Sequence, residues 1–280
     1  MSVSVKREVV KYLQEHYGFS ERRSCRLMLF QRRVKRYEPQ PDQNGWLRKW
    51  LKETAEKRRR FGSPQMYNLL RMQGVTVNHK RVERIYREEG LSLKLKRRRK
   101  KAQQPRQPMM NPEKQNERWS MDFVSDQLFR GRRFRCLTII DDATRECVAI
   151  EVGHSLTGER VTDVLDQISA THGLPQVIRM DNGPEFQSKV MDAWAHKNKV
   201  IMDFTRPGKP TDNAIIESFN GKFRNECLNE SWFTSLEEAK QIIKIWRQDY
   251  NENRPHSSLG GIPPSLFVKQ QMSVLNNVST

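Results

Sequence analysis

The chain is short of the residues that staple or anchor a protein. It has four cysteines in 280 residues, Cys25, Cys136, Cys147 and Cys227, with no CxxC pair and no Cys/His cluster. That argues against a disulfide framework or a zinc finger and fits a reducing compartment. No run of about 18 apolar residues exists, so no membrane-spanning helix is expected. The opening stretch, MSVSVKREVV, lacks the apolar core of a secretory signal. Acidic residues are scarce in one part only. Residues 1–110 hold 30 Lys and Arg against 10 Asp and Glu, whereas residues 111–280 hold 21 against 23. The net charge of +18 therefore belongs entirely to the first two fifths. So basic a half-chain points to nucleic acid, because each neutralised phosphate releases counterions. The plainer alternatives are solvated helix surface or a polybasic patch for a membrane surface.

The basic part reads as helices. VKREVVKYLQEHYG is periodic and stops at Gly18, and Ser20 can cap a second helix, ERRSCRLMLFQRRVKRY. Residues 1–37 are thus predicted as a short, helix-turn-helix-like segment, and EPQPDQNG at 38–45 is a linker by composition. Residues 46–92 repeat the pattern with clearer punctuation. WLRKWLKETAEKRRR is a long helix. SPQMYNLLRMQG offers Ser63 as N-cap, Pro64 at the first helical position and Gly74 as stop. NHKRVERIYREEG offers Asn78 as N-cap and Gly90 as stop. In that last helix Val82, Ile85 and Tyr86 turn inward and leave Lys80, Arg81, Arg84 and Arg87 outside. A trihelical unit with a basic last helix has the shape that enters a major groove. Lys80, Arg81 and Arg84 are therefore candidate DNA contacts; an ordinary three-helix bundle with solvated arginines is the rival. KLKRRRKKAQQPRQPMMNP, within 93–112, is a basic linker able to follow a phosphate backbone.

From residue 113 the composition changes. ERWSMDFVSDQLF, RRFRCLTIIDDATRECVAIEVG, PQVIRMDNG and VIMDFT are rich in β-branched and aromatic residues and read as strands. GERVTDVLDQISATHG and SKVMDAWAHKNKV read as helices between them. The order β-β-β-α-β-α-β predicts an antiparallel meander followed by parallel crossovers, an α/β fold with a mixed five-stranded sheet flanked by helices over 113–268. A further helix, SLEEAKQIIKIWRQDYNEN, follows, and residues 269–280 are expected to form a loose tail.

DNAIIESFNGKFR opens another helix, with Ile215, Ile216, Phe219 and Phe223 as its apolar stripe. Glu217 sits away from that stripe, among Asn213, Ala214, Asn220 and Gly221. Two other acids stand in comparable settings. Asp122, inside WSMDFV, is costly among Trp119, Met121, Phe123 and Val124 unless its charge is compensated. Asp181 ends the strand VIRM and begins the turn DNG, and ligand sites form at such strand ends. Three converging carboxylates would repel one another, and a hard divalent cation with oxygen ligands is the natural counter-charge. A pair of Mg²⁺ ions about 3.5–4 Å apart clamps the attacking and leaving oxygens of a phosphodiester; Mn²⁺ is expected to substitute. The alternative is two turn or strand-end acids and one helix-surface acid. Acids are common enough here that spacing alone decides nothing, so the local sequence must.

WSMDFV, RMDNGPEF and PTDNAIIESFNGKFRNECLN together resemble the DDE transposase and integrase core. The similarity is greatest to the second-frame (OrfB) protein of bacterial insertion sequences, whose catalytic domain is retroviral-integrase-like. Between Asp181 and Glu217 lie 35 residues, the spacing known for that family. DYNENRPHSSLGGIPP resembles its C-terminal continuation, and RRRFGSPQMYNLLRMQGVTVNHKRVERIYREEGL its helix-turn-helix region. The resemblance covers nearly the whole chain.

It implies an RNase H-like fold, two divalent metal ions, and Asp122, Asp181 and Glu217 as both catalytic triad and metal ligands. Arg224, seven residues past Glu217, matches a basic position and is implied to contact DNA near the element end. The implied reaction is Mg²⁺-dependent end cleavage followed by strand transfer, in which the freed 3′-OH attacks target DNA without a covalent protein–DNA intermediate. The implied partners are element-end and target DNA and further copies of the chain, in a bacterial cytoplasm at the nucleoid. In this family the complete transposase is usually a fusion with a first-frame (OrfA) protein carrying a helix-turn-helix and a leucine zipper. No sustained heptad run precedes the core here, so a first-frame protein or its fused form is an expected partner. A metal-dependent DNA nuclease on the same fold and a catalytically inactive DNA-binding regulator remain alternatives; the intact triad speaks against the second. Asp141 and Asp142 are read as a turn, Glu185 and Asp126 as solvated, His256 as structural, and Trp119 and Phe186 as core.

Overall fold

In the computed structural model, residues 1–38, 42–94, 112–206 and 213–278 are described, the last group with side chains as far as 273. Most of the expected basic linker (95–111) and three residues of the first linker (39–41) lie outside the described residues. The chain divides into two compact units, Met1–Trp46 and Leu47–Thr280.

The first unit has three helices where two are predicted. The α1 helix (Val3–Tyr17) starts at Ser2, whose hydroxyl accepts from the Val5 amide, and ends at Gly18 with φ 62°. The predicted second helix breaks into α2 (Glu21–Leu27) and α3 (Arg32–Arg36). Leu29 adopts φ 47° at the break, and the Phe30 amide donates back to the Cys25 carbonyl at 2.9 Å. The reversal turns Phe30 inward onto Val10 and Cys25, and these three are the buried apolar cluster of this unit among the described residues. Burying that ring offsets a left-handed leucine, a conformation that costs about 1–2 kcal/mol.

The second unit opens with α4 (Gly45–Lys57, starting just before the boundary), α5 (Ser63–Met72) and α6 (His79–Glu88). Leu47, Leu51, Phe61, Met66, Leu70, Val82, Ile85 and Tyr86 form their core. Asn78 caps α6 as predicted, its Oδ1 accepting from the Lys80 amide at 2.9 Å. The cap of α5 differs by one residue. Gly62 holds the N-cap position, and its amide donates to Gln65 Oε1 at 3.1 Å, so Ser63 and Pro64 lie inside the first turn. The connection after α4 ties this trihelical part to the rest of the unit. The Arg58 guanidinium grips the Asp249 carboxylate with both terminal nitrogens, and Arg60 pairs with Glu230 at 2.6 Å.

The sheet follows as β1 (Arg118–Gln127), β2 (Arg133–Asp141), β3 (Cys147–Gly153), β4 (Val177–Met180) and β5 (Ile201–Phe204). Their spatial order is β3-β2-β1-β4-β5. β1–β2 and β2–β3 pair antiparallel, whereas β1–β4 and β4–β5 pair parallel through α7 (Gly158–His172) and α8 (Lys189–Asn198). This is the predicted mixed five-stranded sheet. Successive β1 side chains alternate faces. Trp119 and Met121 join the cluster under α7 and α8. Val124 joins the cluster on the other face, under α9 (Ala214–Glu226) and α10 (Leu236–Glu252). Asp122, two residues before Val124, shares that second face.

Beyond α10, α11 runs Pro264–Val278 and so occupies most of the stretch expected to be a loose tail. Pro264 sits at its start, where a missing amide hydrogen costs nothing, and no Gly or Pro interrupts it afterwards. All four cysteines are buried free thiols. Cys25 belongs to the first unit, and the other three share one cluster in the second. Burial raises the thiols of Cys136 and Cys147 far above the ordinary range and that of Cys227 to about 12.

Candidate active site

Asp122 lies in mid-strand, opposite Thr138 of β2 in the antiparallel register. The Thr138 hydroxyl, 3.0 Å from the Asp122 carbonyl, is also 2.9 Å from Asn220 Oδ1. Asn220 in turn donates its amide to Asp122 Oδ2 at 2.7 Å, while the Phe123 amide donates to Oδ1 at 2.7 Å. Asn220 stands one turn after Glu217 on α9, so the bond sets the Glu217 side of that helix over the Asp122 strand. The apolar side of α9, Ile216, Phe219 and Phe223, packs into the cluster beneath.

Asp181 arrives from the neighbouring strand. The parallel pairing matches Arg118 with Val177, Trp119 with Ile178 and Ser120 with Arg179. The same offset carried two residues further matches Asp122 with Asp181, just past the end of β4. There the Gly183 amide donates to Asp181 Oδ1 at 3.0 Å, closing the DNG turn.

The electrostatics report the same neighbourhood. Burial raises the Asp122 carboxyl from 3.8 to about 6, and the charges of Asp181 and Glu217 push the same way. The Phe123 and Asn220 hydrogen bonds oppose that rise. Asp181 and Glu217 are exposed and Asp122 is half-buried. Among the described residues, no three His, Cys, Asp or Glu side chains close around a common point as metal ligands do.

The candidate DNA contacts are more dispersed. Arg224, also on α9, is exposed and donates to the Ser125 carbonyl of β1 at 3.0 Å. Lys80 is exposed on α6 and Arg81 is half-buried there. Arg84 pairs with Glu88 one turn along at 2.7 Å, so it is not simply solvated. Sequence reasoning missed Asn220 and Thr138 as members of the site. Their signal was weak: a polar residue one turn from Glu217, and a lone threonine in an apolar strand.

The acids read as bystanders behave in two ways. Asp141 is the last residue of β2 and caps the turn that follows, its Oδ1 accepting from the Ala143 amide at 2.9 Å and the Thr144 amide at 2.8 Å. Asp142 is buried and paired with Arg118 at 2.6 Å. Glu185 is not solvated as expected. It pairs with Arg135, whose guanidinium lies 4.1 Å from the Phe123 ring centre, and that pairing holds its carboxyl below the usual range. His256 is buried against the edge of Tyr250, ring centres 4.7 Å apart, and burial lowers its imidazole to about 2, so it stays neutral.

Known proteins share this arrangement of parts. Residues 112–210 and 198–264 match integrase core domain families, and residues 44–101 match an HTH-like domain. An uncharacterized 31.7 kDa protein of insertion element IS407 from Burkholderia multivorans is 47% identical over 91% of this chain and 92% of its own length. The putative transposase InsK for insertion sequence element IS150 of Escherichia coli is 25% identical over 82% of this chain and 85% of its own. In the simian T-cell lymphotropic virus intasome in complex with PP2A regulatory subunit B56 gamma, one chain superposes with TM-score 0.50 at 14% identity. The match covers 69% of this chain and 67% of that one, a likeness of fold. With a sheet of integrase topology, an HTH-like domain before it and close identity to an insertion-element protein along nearly its whole length, this chain belongs to the transposases of bacterial insertion elements.

Proposed function

We propose that the chain cuts DNA at the ends of its element and joins them to new DNA, with Asp122, Asp181 and Glu217 as a DDE triad. The observation that carries this reading is the bond from Asn220 to Asp122, which brings the Glu217 side of α9 onto the strand bearing the first acid. The donor set fits a hard divalent cation: three carboxylates, one of them half-buried and repelled by the other two. Asp181 and Glu217 are exposed, so their side chains are free to change rotamer toward a cation. Bound Mg²⁺, as two ions or with Mn²⁺ in its place, supplies charge stabilisation at the phosphodiester and lowers the pKa of the attacking hydroxyl.

The remaining work falls to the chain. In the first step a water oxygen attacks phosphorus in line, the P–O3′ bond breaks, and the proton and electron pair account for a 3′-OH and a 5′-phosphate. In the second, that 3′-oxygen attacks a target phosphodiester and displaces a target 3′-OH, so the number of phosphodiesters is conserved and no energy source is required. Asn220 holds Asp122 Oδ2 in place, and Arg224 offers its charge to the DNA beside the site. Lys80, Arg81 and Arg84 on α6 contact DNA upstream, and their loss should flatten the salt dependence of binding. The chain works on DNA as an oligomer, with a first-frame partner or its fused form.

The test is to incubate the chain, alone and fused to its first-frame segment, with labelled element ends, Mg²⁺ and supercoiled target DNA. Joined products that disappear in Glu217→Gln are expected. Nicks without joined products would instead mark a nuclease, and metal-independent products would remove the triad from the chemistry.

A further inference from the structure

Phe129 and Trp232 are 69% and 78% exposed, far outside the range expected of large aromatic rings in a well-packed unit. They meet each other at the surface, ring centres 5.8 Å apart and planes tilted by 58°. Neither placement is loose. Phe129 lies in the hairpin between β1 and β2, which closes by Leu128 N–H to Arg132 O at 2.9 Å and Gly131 N–H to Leu128 O at 2.8 Å. Gly131, at φ 84°, supplies the left-handed residue that such a turn requires. Trp232 lies in the segment before α10, where the next residue, Phe233, is buried edge-on to Phe134 with ring centres 5.6 Å apart. The Phe129 amide donates to the Phe233 carbonyl at 2.7 Å and joins the two segments. Two rigid loops thus hold two apolar rings in water, which nothing in the packing of the fold demands.

The surroundings say what would cover them. Arg130, Arg132 and Arg133 are exposed in the same hairpin and have no carboxylate partner among the described residues. The nearest acids in sequence are engaged: Asp126 Oδ1 accepts from the Gln127 amide at 2.8 Å, and Glu230 pairs with Arg60. The pair also follows, in sequence, the two elements that carry Asp122 and Glu217. Phe129 follows Asp122 and Ser125 along the chain just past the end of β1, and Trp232 follows Glu217 and Arg224 past the end of α9. Arg224 of α9 donates to the Ser125 carbonyl of β1 and so ties the two elements together between Asp122 and the hairpin. Seven residues of extended chain span at most about 23 Å, which bounds the distance from the Asp122 backbone to that of Phe129.

We propose that Phe129 and Trp232 are a stacking platform for an unpaired nucleobase of the DNA substrate, with Arg130, Arg132 and Arg133 on the adjoining phosphates. The proposal rests on DNA being the substrate, as above, and adds that the substrate offers a base free of its duplex neighbours. Bases inside a duplex already stack on each other; one at a frayed end, flap or single-stranded tail does not, and an exposed indole is the partner it lacks.

The experiment compares a duplex carrying a short single-stranded tail with the same duplex blunt, by fluorescence anisotropy on the full chain. Trp232→Ala and Phe129→Ala should each weaken the tailed duplex by roughly five- to hundredfold and leave the blunt one within about twofold. Trp232→Phe should keep most of the tailed-duplex affinity yet lose part of the tryptophan quenching that accompanies binding, which a merely structural role would not predict. Equal losses on both DNAs, or no loss on either, would overturn the platform. If an alanine variant fails to fold, Trp232→Phe quenching and Phe129→Leu affinity decide the matter. Joined products from wild type and Glu217→Gln, run in parallel, keep the two readings apart. A tail-specific effect with joining that survives in Glu217→Gln sinks the triad and spares the platform. Joining lost in Glu217→Gln with no tail-specific effect does the reverse.

Discussion

Neutralising Asp122 should make the metal-free protein more stable at neutral pH and less active at any pH. The carboxyl is raised from 3.8 to about 6, so the folded protein holds its proton more tightly than the unfolded chain does. Ionising it therefore costs stability. The cost is absent below the unfolded pKa, grows as pH rises from about 3.8 to about 6, and is complete above that. A shift of two units corresponds to about 3 kcal/mol, and partial exposure of the side chain trims this to about 1–2 kcal/mol. Asp122→Asn removes the charge but also one acceptor for the Asn220 amide, a loss of about 1 kcal/mol that does not depend on pH. The difference in unfolding free energy between variant and wild type should thus move by about 1–2 kcal/mol in the variant's favour between pH 3 and pH 7.5, and by about 1 kcal/mol of that between pH 4.5 and pH 7.5. Urea unfolding in EDTA at several pH values measures it. Added Mg²⁺ should reverse the order, because a cation bound only by folded wild type stabilises it alone. A pH-independent difference, or a variant that falls further behind as pH rises, would refute the assignment of Asp122 as a buried, repelled carboxylate.

The other predictions concern residues that hold the site rather than occupy it. Asn220→Ala removes a hydrogen bond that opposes the rise in the Asp122 carboxyl, so cleavage should fall about tenfold or more and its pH profile should shift alkaline, with DNA affinity unchanged in a binding assay. Arg254 forms a buried two-bond pair with Glu226 at the end of α9, with distances of 2.6 and 2.7 Å. Arg254→Ala strands that carboxylate, and the urea midpoint should report a loss of about 3–5 kcal/mol, largely recovered by adding Glu226→Gln.

Much of the architecture was legible because local chemistry and tertiary packing agree. The strands of the sheet announce themselves by β-branched and aromatic residues, and Asn78 starts its helix and Gly74 and Gly90 follow theirs for reasons internal to the segment. What escaped is what depends on distant partners or unusual backbone. Nothing in a leucine advertises φ 47°, and the break at Leu29 exists only because Phe30 finds Val10 and Cys25. Ser63 loses the cap of α5 to a glycine because Gln65 reaches back to the Gly62 amide, a one-residue shift that composition cannot resolve. The site divides the same way. Its three acids sit in recognisable local settings, but the Thr138–Asn220–Asp122 network joins residues 82 and 98 positions apart, and no window of sequence contains it. The Arg84–Glu88 pair lay one helical turn apart and was readable in principle.

The buried thiols turn the wild-type chain into its own unfolding gauge. A folded molecule should take up almost no alkylating reagent, since every sulfur is both shielded and slow to ionise or simply out of reach. Cys25 becomes reactive only when the first unit opens, and Cys136, Cys147 and Cys227 only when the cluster beneath α9 and α10 does. Mass spectrometry after brief alkylation would therefore sort molecules into those carrying one, three or four adducts. A population with a single adduct would record the N-terminal helices coming apart while the catalytic sheet stays whole, and molecules that jump from none to four would record the two units melting together.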